Sequence, residues 1–194
     1  MTSSLFEALG EEQFCVTAVR GLDEADVLER LGHSGKEPLP RYGAKDGVEH
    51  LGLDSGAVRI YCPEGAEWAY VFDVNGHSGF GHRTPVLERL SAGTEAVSVW
   101  SLIASTTHVA HIQDGQVLAR FNAWTFEPAS GPGADRLNRA LERMGFFLPD
   151  DEVDDELSDP AAALEAVEDE FGLLVDPEAV AGPLPTVVIA EPLT

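Results

Sequence analysis

The residues in this sequence best suited to chemistry gather at the end of one strand-like run. Asp73 closes Trp68–Asp73, and Asn75-Gly76 then turns the chain into His77-Ser78-Gly79-Phe80-Gly81-His82. A carboxylate beside two imidazoles can pass a proton or hold a ligand through hydrogen bonds. Asp73, His77 and His82 are therefore the catalytic candidates if the chain is an enzyme. A plainer role suits the same carboxylate, that of capping amides at a strand end.

Other chemistry finds less support. His108 and His111 are three residues apart on one expected strand, so they face opposite sides of the sheet and cannot chelate one ion together. The chain holds no His-Glu-x-x-His, Gly-x-Ser-x-Gly or P-loop pattern, and Gly79-Phe80-Gly81 lacks the spacing of a dinucleotide fingerprint. Cys15 and Cys62 sit in apolar runs, where cysteine behaves as a small buried hydrophobe, and two cysteines cannot build a Cys-rich zinc centre. The acidic run 150–159 lacks the glycine and alternating ligands of a calcium loop, and reads as a solvated linker. No metal and no cofactor is expected. For binding, the candidates are Trp124 and Phe126, which lead into a Pro/Gly loop, with Trp68 as a further wall of a pocket or interface.

Those residues need a scaffold, and the pattern supplies one. Phe14–Val19 reads as a buried strand, followed by a helix that Asp23 caps, with Asp26 three residues on. Residues 33–55 read as a long, weakly apolar loop. Ala57–Cys62 and Trp68–Val74 form a hairpin in which Trp68, Tyr70 and Phe72 face one way and Ala69, Val71 and Asp73 the other. Thr84-Pro85 predicts a helix start with Thr84 as N-cap. A strand follows from Glu95 to about Ser105. Thr107–Gln113 and Gln116–Phe121 flank Asp114-Gly115, a dipeptide suited to a type I′ turn. Helices are expected over 134–144 and from Asp159 to Gly172, and Pro185–Ala190 is a last strand or an extended arm. The expected class is α+β, a mainly antiparallel sheet with flanking helices and an acidic C-terminal helical segment. An α+β domain over 1–148 carries the tail 149–194, packed on the same domain.

The 194 residues carry a net charge of −22 with 44% hydrophobic content. That length fits one domain with a core of its own. Residues 149–194 hold −14 of the charge and no Lys or Arg. Two lysines and ten scattered arginines leave no basic surface for phosphates, so nucleic acid is not an expected partner. No apolar run approaches the ~20 residues of a membrane span, and the N-terminus has no signal-peptide pattern. A cytoplasmic location is expected.

Several pieces recur in order: Phe14–Gly21 with Leu22–Leu28, Trp68–Asp73, Leu87–Val99, Gly115–Phe121, and Ala134–Leu137 with Met144-Gly145. Together they resemble an uncharacterised family of single-domain actinobacterial proteins, known only as a domain of unknown function. In that family a Glu is usual where this chain has Asp73, and a shorter Phe-Asp-Pro element where it has Phe121–Pro128. The resemblance brings no catalytic residues with it. The expectation is a non-enzymatic protein-binding domain, an immunity-like inhibitor of a basic partner. The alternative is a small enzyme or small-molecule-binding protein of a biosynthetic pathway, using an Asp/His-containing pocket.

Overall fold

A computed structural model describes residues 3–10, 13–33, 38–53, 55–102, 106–125, 127–147 and 159–189. Eight strands are present: β1 (Phe14–Arg20), β2 (Arg41–Tyr42), β3 (Ala57–Tyr61), β4 (Trp68–Asp73), β5 (Glu95–Ser101), β6 (Thr107–Gln113), β7 (Gln116–Asn122) and β8 (Leu184–Val188). They form one sheet in the order β2-β8-β3-β4-β1-β5-β6-β7, and every neighbouring pair is antiparallel. Seven α-helices are described: α1 (Ser4–Leu9), α2 (Glu24–Arg30), α3 (Asp46–Leu51), α4 (Thr84–Leu90), α5 (Ala134–Arg143), α6 (Asp159–Phe171) and α7 (Pro177–Ala181). The class is α+β, as the alternation of hairpins and helices predicts.

The period-2 alternation of the strands sorts the core into two layers. Phe14, Val16, Ala18, Trp68, Tyr70, Phe72, Val97 and Val99 face α1, α5, α6 and α7. Val19, Ala69, Val71, Ala96, Val58 and Ile60 face the smaller layer of α2 and α4. Helix α5 contributes Leu137, Ala140 and Leu141 at 3.6-residue spacing, all fully buried. Burying one such leucine stabilises the fold by roughly 1.5–3 kcal/mol. Helix α2 begins with the expected capping box, the Asp23 side chain accepting from Asp26 N and the Asp26 side chain from Asp23 N.

Three expectations change. The stretch 33–55 is not one loop, since β2 and α3 lie within it. Its weak apolar content is enough because β2 takes its hydrogen bonds from β8, a strand far away in sequence. Thr84 is not the N-cap of α4. Arg83 occupies that position without a side-chain cap, and the Thr84 hydroxyl accepts from Arg120 instead, at 2.7 Å. The strand from Glu95 ends at Ser101, and 103–105 lie outside the described residues. So do 150–158, most of the acidic run.

The described part of the tail sits inside the fold. Helix α6 buries Ala163, Leu164, Ala166, Val167 and Phe171 in the larger core. Strand β8 lies between β2 and β3, where its extended run pairs Val187 with Val58 and Thr186 with Arg59. Buried Arg59 ties this corner together. It donates to the carbonyls of Tyr42 (3.0 Å), Gly182 (2.8 Å) and Val180, and burial pulls its pKa down to about 10.

Candidate functional site

Two short 3-10 turns, Gly76–Ser78 and Phe80–His82, carry the histidine loop across the face that α2 and α4 also cover. Asn75 starts the first turn by accepting from His77 N. Gly79 joins the two with φ +58°, and a Cβ there would lie 2.5 Å from Trp100 Cε2, so only glycine fits. The loop is thereby clamped against β1 and β5, and Trp100 donates its indole N–H to Gly76 O at 2.9 Å.

Asp73 is enclosed by this loop. Its Oδ1 accepts from Gly81 N at 3.0 Å and its Oδ2 from the Ser78 hydroxyl at 3.4 Å. A Cβ on Gly81 would lie 2.7 Å from the same carboxylate oxygen. Burial pushes the Asp73 pKa up to about 7, against hydrogen bonds from Gly81, Phe80, Cys15 and Ser78 that favour the ionised form. The Cys15 thiol beneath it is buried and pushed well up, first by burial and then by Asp73.

His82 turns away from Asp73. Its Nδ1 lies 2.9 Å from Ser98 Oγ, which also contacts Thr17 Oγ1 (2.8 Å) and Val16 O (3.2 Å). A hydroxyl beside an imidazole is the contact of a nucleophile with its base. Here Ser98 is completely buried, so no substrate reaches its oxygen, and the contact is an internal polar network. Burial, then His108 and Arg120, pull the His82 pKa down to about 3. His108 is lowered by burial and Arg120 as well, and its ring stacks on Trp100 at 5.2 Å.

The three catalytic candidates are therefore not one constellation. His77 is exposed on the first turn, Asp73 is enclosed, and His82 opens onto a cleft that Asp73 does not line. That cleft, about 300 Å³, also has His108, Arg120, Asn122, Thr125 and Ser130 in its wall. Arg120 and Asn122 carried no sequence signal beyond their place on the strand next to His108.

The binding candidates are similarly dispersed. Trp124 is 64% exposed on the 3-10 turn Ala123–Thr125, whose Thr125 lines the cleft. Phe126 lies outside the described residues. Trp68 is buried on β4, with three strands between it and β7 in the sheet. It packs edge-on against Phe171 and under Arg20, and its indole N–H has no hydrogen-bond partner among the described residues. Trp68 also borders a second depression of about 400 Å³, with Tyr61, Tyr70, Glu67, Leu174 and Asp176.

A third polar centre was invisible in the sequence. Glu95, at the start of β5, accepts from His111 Nε2 (2.8 Å), Arg136 (2.9 Å) and Arg20 (2.8 Å). His111 faces it while His108 faces the cleft, as the three-residue spacing requires. Glu170 holds Arg136 from the other side.

Among the described residues, no group of three or more His, Cys, Asp or Glu is placed to hold a metal ion, and no helix is long and apolar enough to cross a membrane. No curated protein and no solved structure matches the chain. A family model does match it, over residues 2–175. The chain belongs to the family of unknown function DUF6461.

Proposed function

We propose that the chain is a non-enzymatic binding domain for a basic protein, in its sharpest form an immunity-like inhibitor, acting in the cytoplasm. The observation that carries this reading is the depression between the β3–β4 hairpin and the segment after α6. Tyr61, half-buried, brings an aromatic ring to it above the buried Trp68 and Tyr70, and Glu67 and Asp176 add carboxylates. Leu174, 73% exposed, stands beside them as an apolar anchor. Its backbone is fixed by Tyr70, whose hydroxyl donates to Leu174 O and accepts from Leu174 N, both at 3.0 Å.

The Tyr61 ring beside carboxylates suits the head and stem of a Lys or Arg side chain. A cation over such a ring gains roughly 0.5–2 kcal/mol, more as water is excluded. The net charge of −22 steers basic proteins toward the surface and repels nucleic acid. Cys15 and Cys62 are free thiols, which suits a reducing compartment. The complete burial of Ser98 supports a role without catalysis at the Ser98–His82 contact.

The test is a titration of the full chain with a peptide rich in Arg and Lys, against the same peptide with those residues replaced by Gln. The basic peptide is expected to bind, about tenfold more weakly at physiological than at low salt. Leu174→Ser and Tyr61→Ala are expected to weaken it about tenfold. Equal binding of the Gln peptide, or no effect of either substitution, overturns the reading. The inhibitor form further requires that a basic partner from the native host lose its activity when the chain is added.

A further inference from the structure

The cleft on the opposite side of the sheet shares no residue with that depression, and its chemistry is different. His82, His108, Arg120, Asn122, Thr125 and Ser130 converge on about 300 Å³, with Glu127 also in the lining. We infer that this cleft binds a small organic oxyanion, a carboxylate or phosphate ester whose uncharged part fills the remaining space.

Arg120 is the one cationic side chain in the lining among the described residues. Thr84 holds its guanidinium from one side at 2.7 Å. Its field reaches both imidazoles, since it is among the causes that lower His82 and His108. Burial first, and Arg120 after it, favour the neutral form of both rings, each with one N–H to offer. For a metal cation the arrangement is wrong, with a guanidinium in place and a single carboxylate in the lining among the described residues. For an oxyanion it is suitable: a planar cation that can bind two oxygens, flanked by neutral donors.

The network behind His82 makes the second donor adjustable. The Ser98 hydroxyl has one proton to give, and while Thr17 donates its own proton to Ser98 the choice lies between Val16 O and His82 Nδ1. When it goes to Nδ1, the ring's own proton sits on Nε2, the nitrogen that Ser98 does not contact, on a ring that lines the cleft. An anion selects that tautomer, and the change needs rotation of a hydroxyl with no movement of heavy atoms. The cleft is larger than a bare oxyanion and falls at the lower end of small-molecule sites. Asn122, Thr125 and Ser130 add amide and hydroxyl groups for the rest of the ligand. Asp73 lies outside it, so its proton plays no part in this binding.

The experiment uses the full chain with 15N-labelled histidine at pH 7, titrated with inorganic phosphate and, separately, acetate. Sodium chloride at matched ionic strength is the control. The expected result is a saturable shift of the His82 and His108 ring nitrogens with at least one probe, toward the Nε2–H form for His82, while His33 and His50 stay unmoved. Arg120→Gln is expected to weaken binding at least tenfold, and Glu127→Gln to strengthen it two- to threefold. A response equal to that in chloride, or an Arg120→Gln chain that binds as the parent does, overturns the assignment. If Arg120→Gln lowers the melting temperature, Arg120→Lys keeps the charge, and its affinity is expected within about fivefold of the parent. Loss as complete as with Gln, in a folded Arg120→Lys chain, also overturns it.

Discussion

Two enclosed carboxylates stand on opposite faces of this sheet and are treated in opposite ways. Glu95 is surrounded by charge: Arg20 and Arg136 donate to it, with His111 as a third donor. Asp73 has hydrogen bonds from the backbone of Gly81 and Phe80, the Ser78 hydroxyl and the Cys15 thiol, and no ion pair among the described residues. Taking a carboxylate out of water costs several kcal/mol unless other charges or hydrogen bonds compensate. Glu95 meets that requirement with cations, and so acts as a fixed anchor joining β1, β5, β6 and α5. Asp73 meets it in part by holding a proton more tightly, which is why its pKa rises to about 7. Enclosure alone does not mark a functional carboxylate, and the surrounding charge decides between an anchor and a titrating group.

The largest effect that tests this contrast is Glu95→Ala. It takes the carboxylate from the His111 imidazole and one of two carboxylate partners from each guanidinium, Arg20 keeping Glu67 and Arg136 keeping Glu170, and we expect a loss of about 2–3 kcal/mol in urea unfolding at pH 7. That is less than the roughly 3–5 kcal/mol of a fully buried network, because Arg20 and Arg136 keep 41% and 35% of their side chains in solvent. A loss below 0.5 kcal/mol, ~RT in size, would remove Glu95 from the role of anchor. Next is Gly81→Ala, whose new Cβ meets Asp73 Oδ1 at 2.7 Å. Overpacking of this kind costs about 1–3 kcal/mol, and an unchanged unfolding midpoint would mean that the loop yields freely.

Asp73→Asn probes the titrating side of the comparison. A carboxyl whose folded pKa lies above its unfolded value binds its proton more tightly when folded. Its contribution is complete below pH 3.8 and is lost as pH rises to about 7. Within that window the slope from this group is at most about −1.4 kcal/mol per pH unit. In Asp73→Asn, unfolding measured from pH 4 to 8 should lack that component, and an identical slope in both chains would refute it. The smallest effect is expected from Arg143→Ala. Arg143 pairs with Asp169 and Glu170 at the surface, and removing an exposed pair should leave the melting temperature unchanged within error. A clear drop there would blur the line between network and surface pair.

Local rules made much of the scaffold legible. Asp114-Gly115 forms its expected turn, with φ of +49° and +72°, and Trp68, Tyr70 and Phe72 share the face that their alternation assigns. The non-local parts were hidden. Nothing near residues 41–42 or 184–188 announces that these segments pair with one another. The cleft was hidden by a single irregularity. Counting back from the two-residue turn places His108 opposite Phe121, a core residue. A bulge between His111 and Ile112 shifts the register by one and sets His108 opposite Asn122 instead. One inserted residue thus brings Arg120 and Asn122 to the face of His108. Glu95 was equally unreadable, because its partners come from β1, β6 and α5, and each looks ordinary in its own segment.

The position of β8 has a consequence for how the protein is made. Strand β3 leaves the ribosome about 120 residues before the strand that covers its outer edge. For that interval one side of the growing sheet presents unpaired amides and carbonyls, a template for pairing with other chains. Arg59, on that edge strand, meanwhile lacks the Val180 and Gly182 carbonyls that later surround it. Until those carbonyls arrive its guanidinium has to stay in water, and a charge on an open strand discourages such pairing. The charge that is costly to enclose in the finished domain thereby protects the nascent one, and it is covered when β8 arrives.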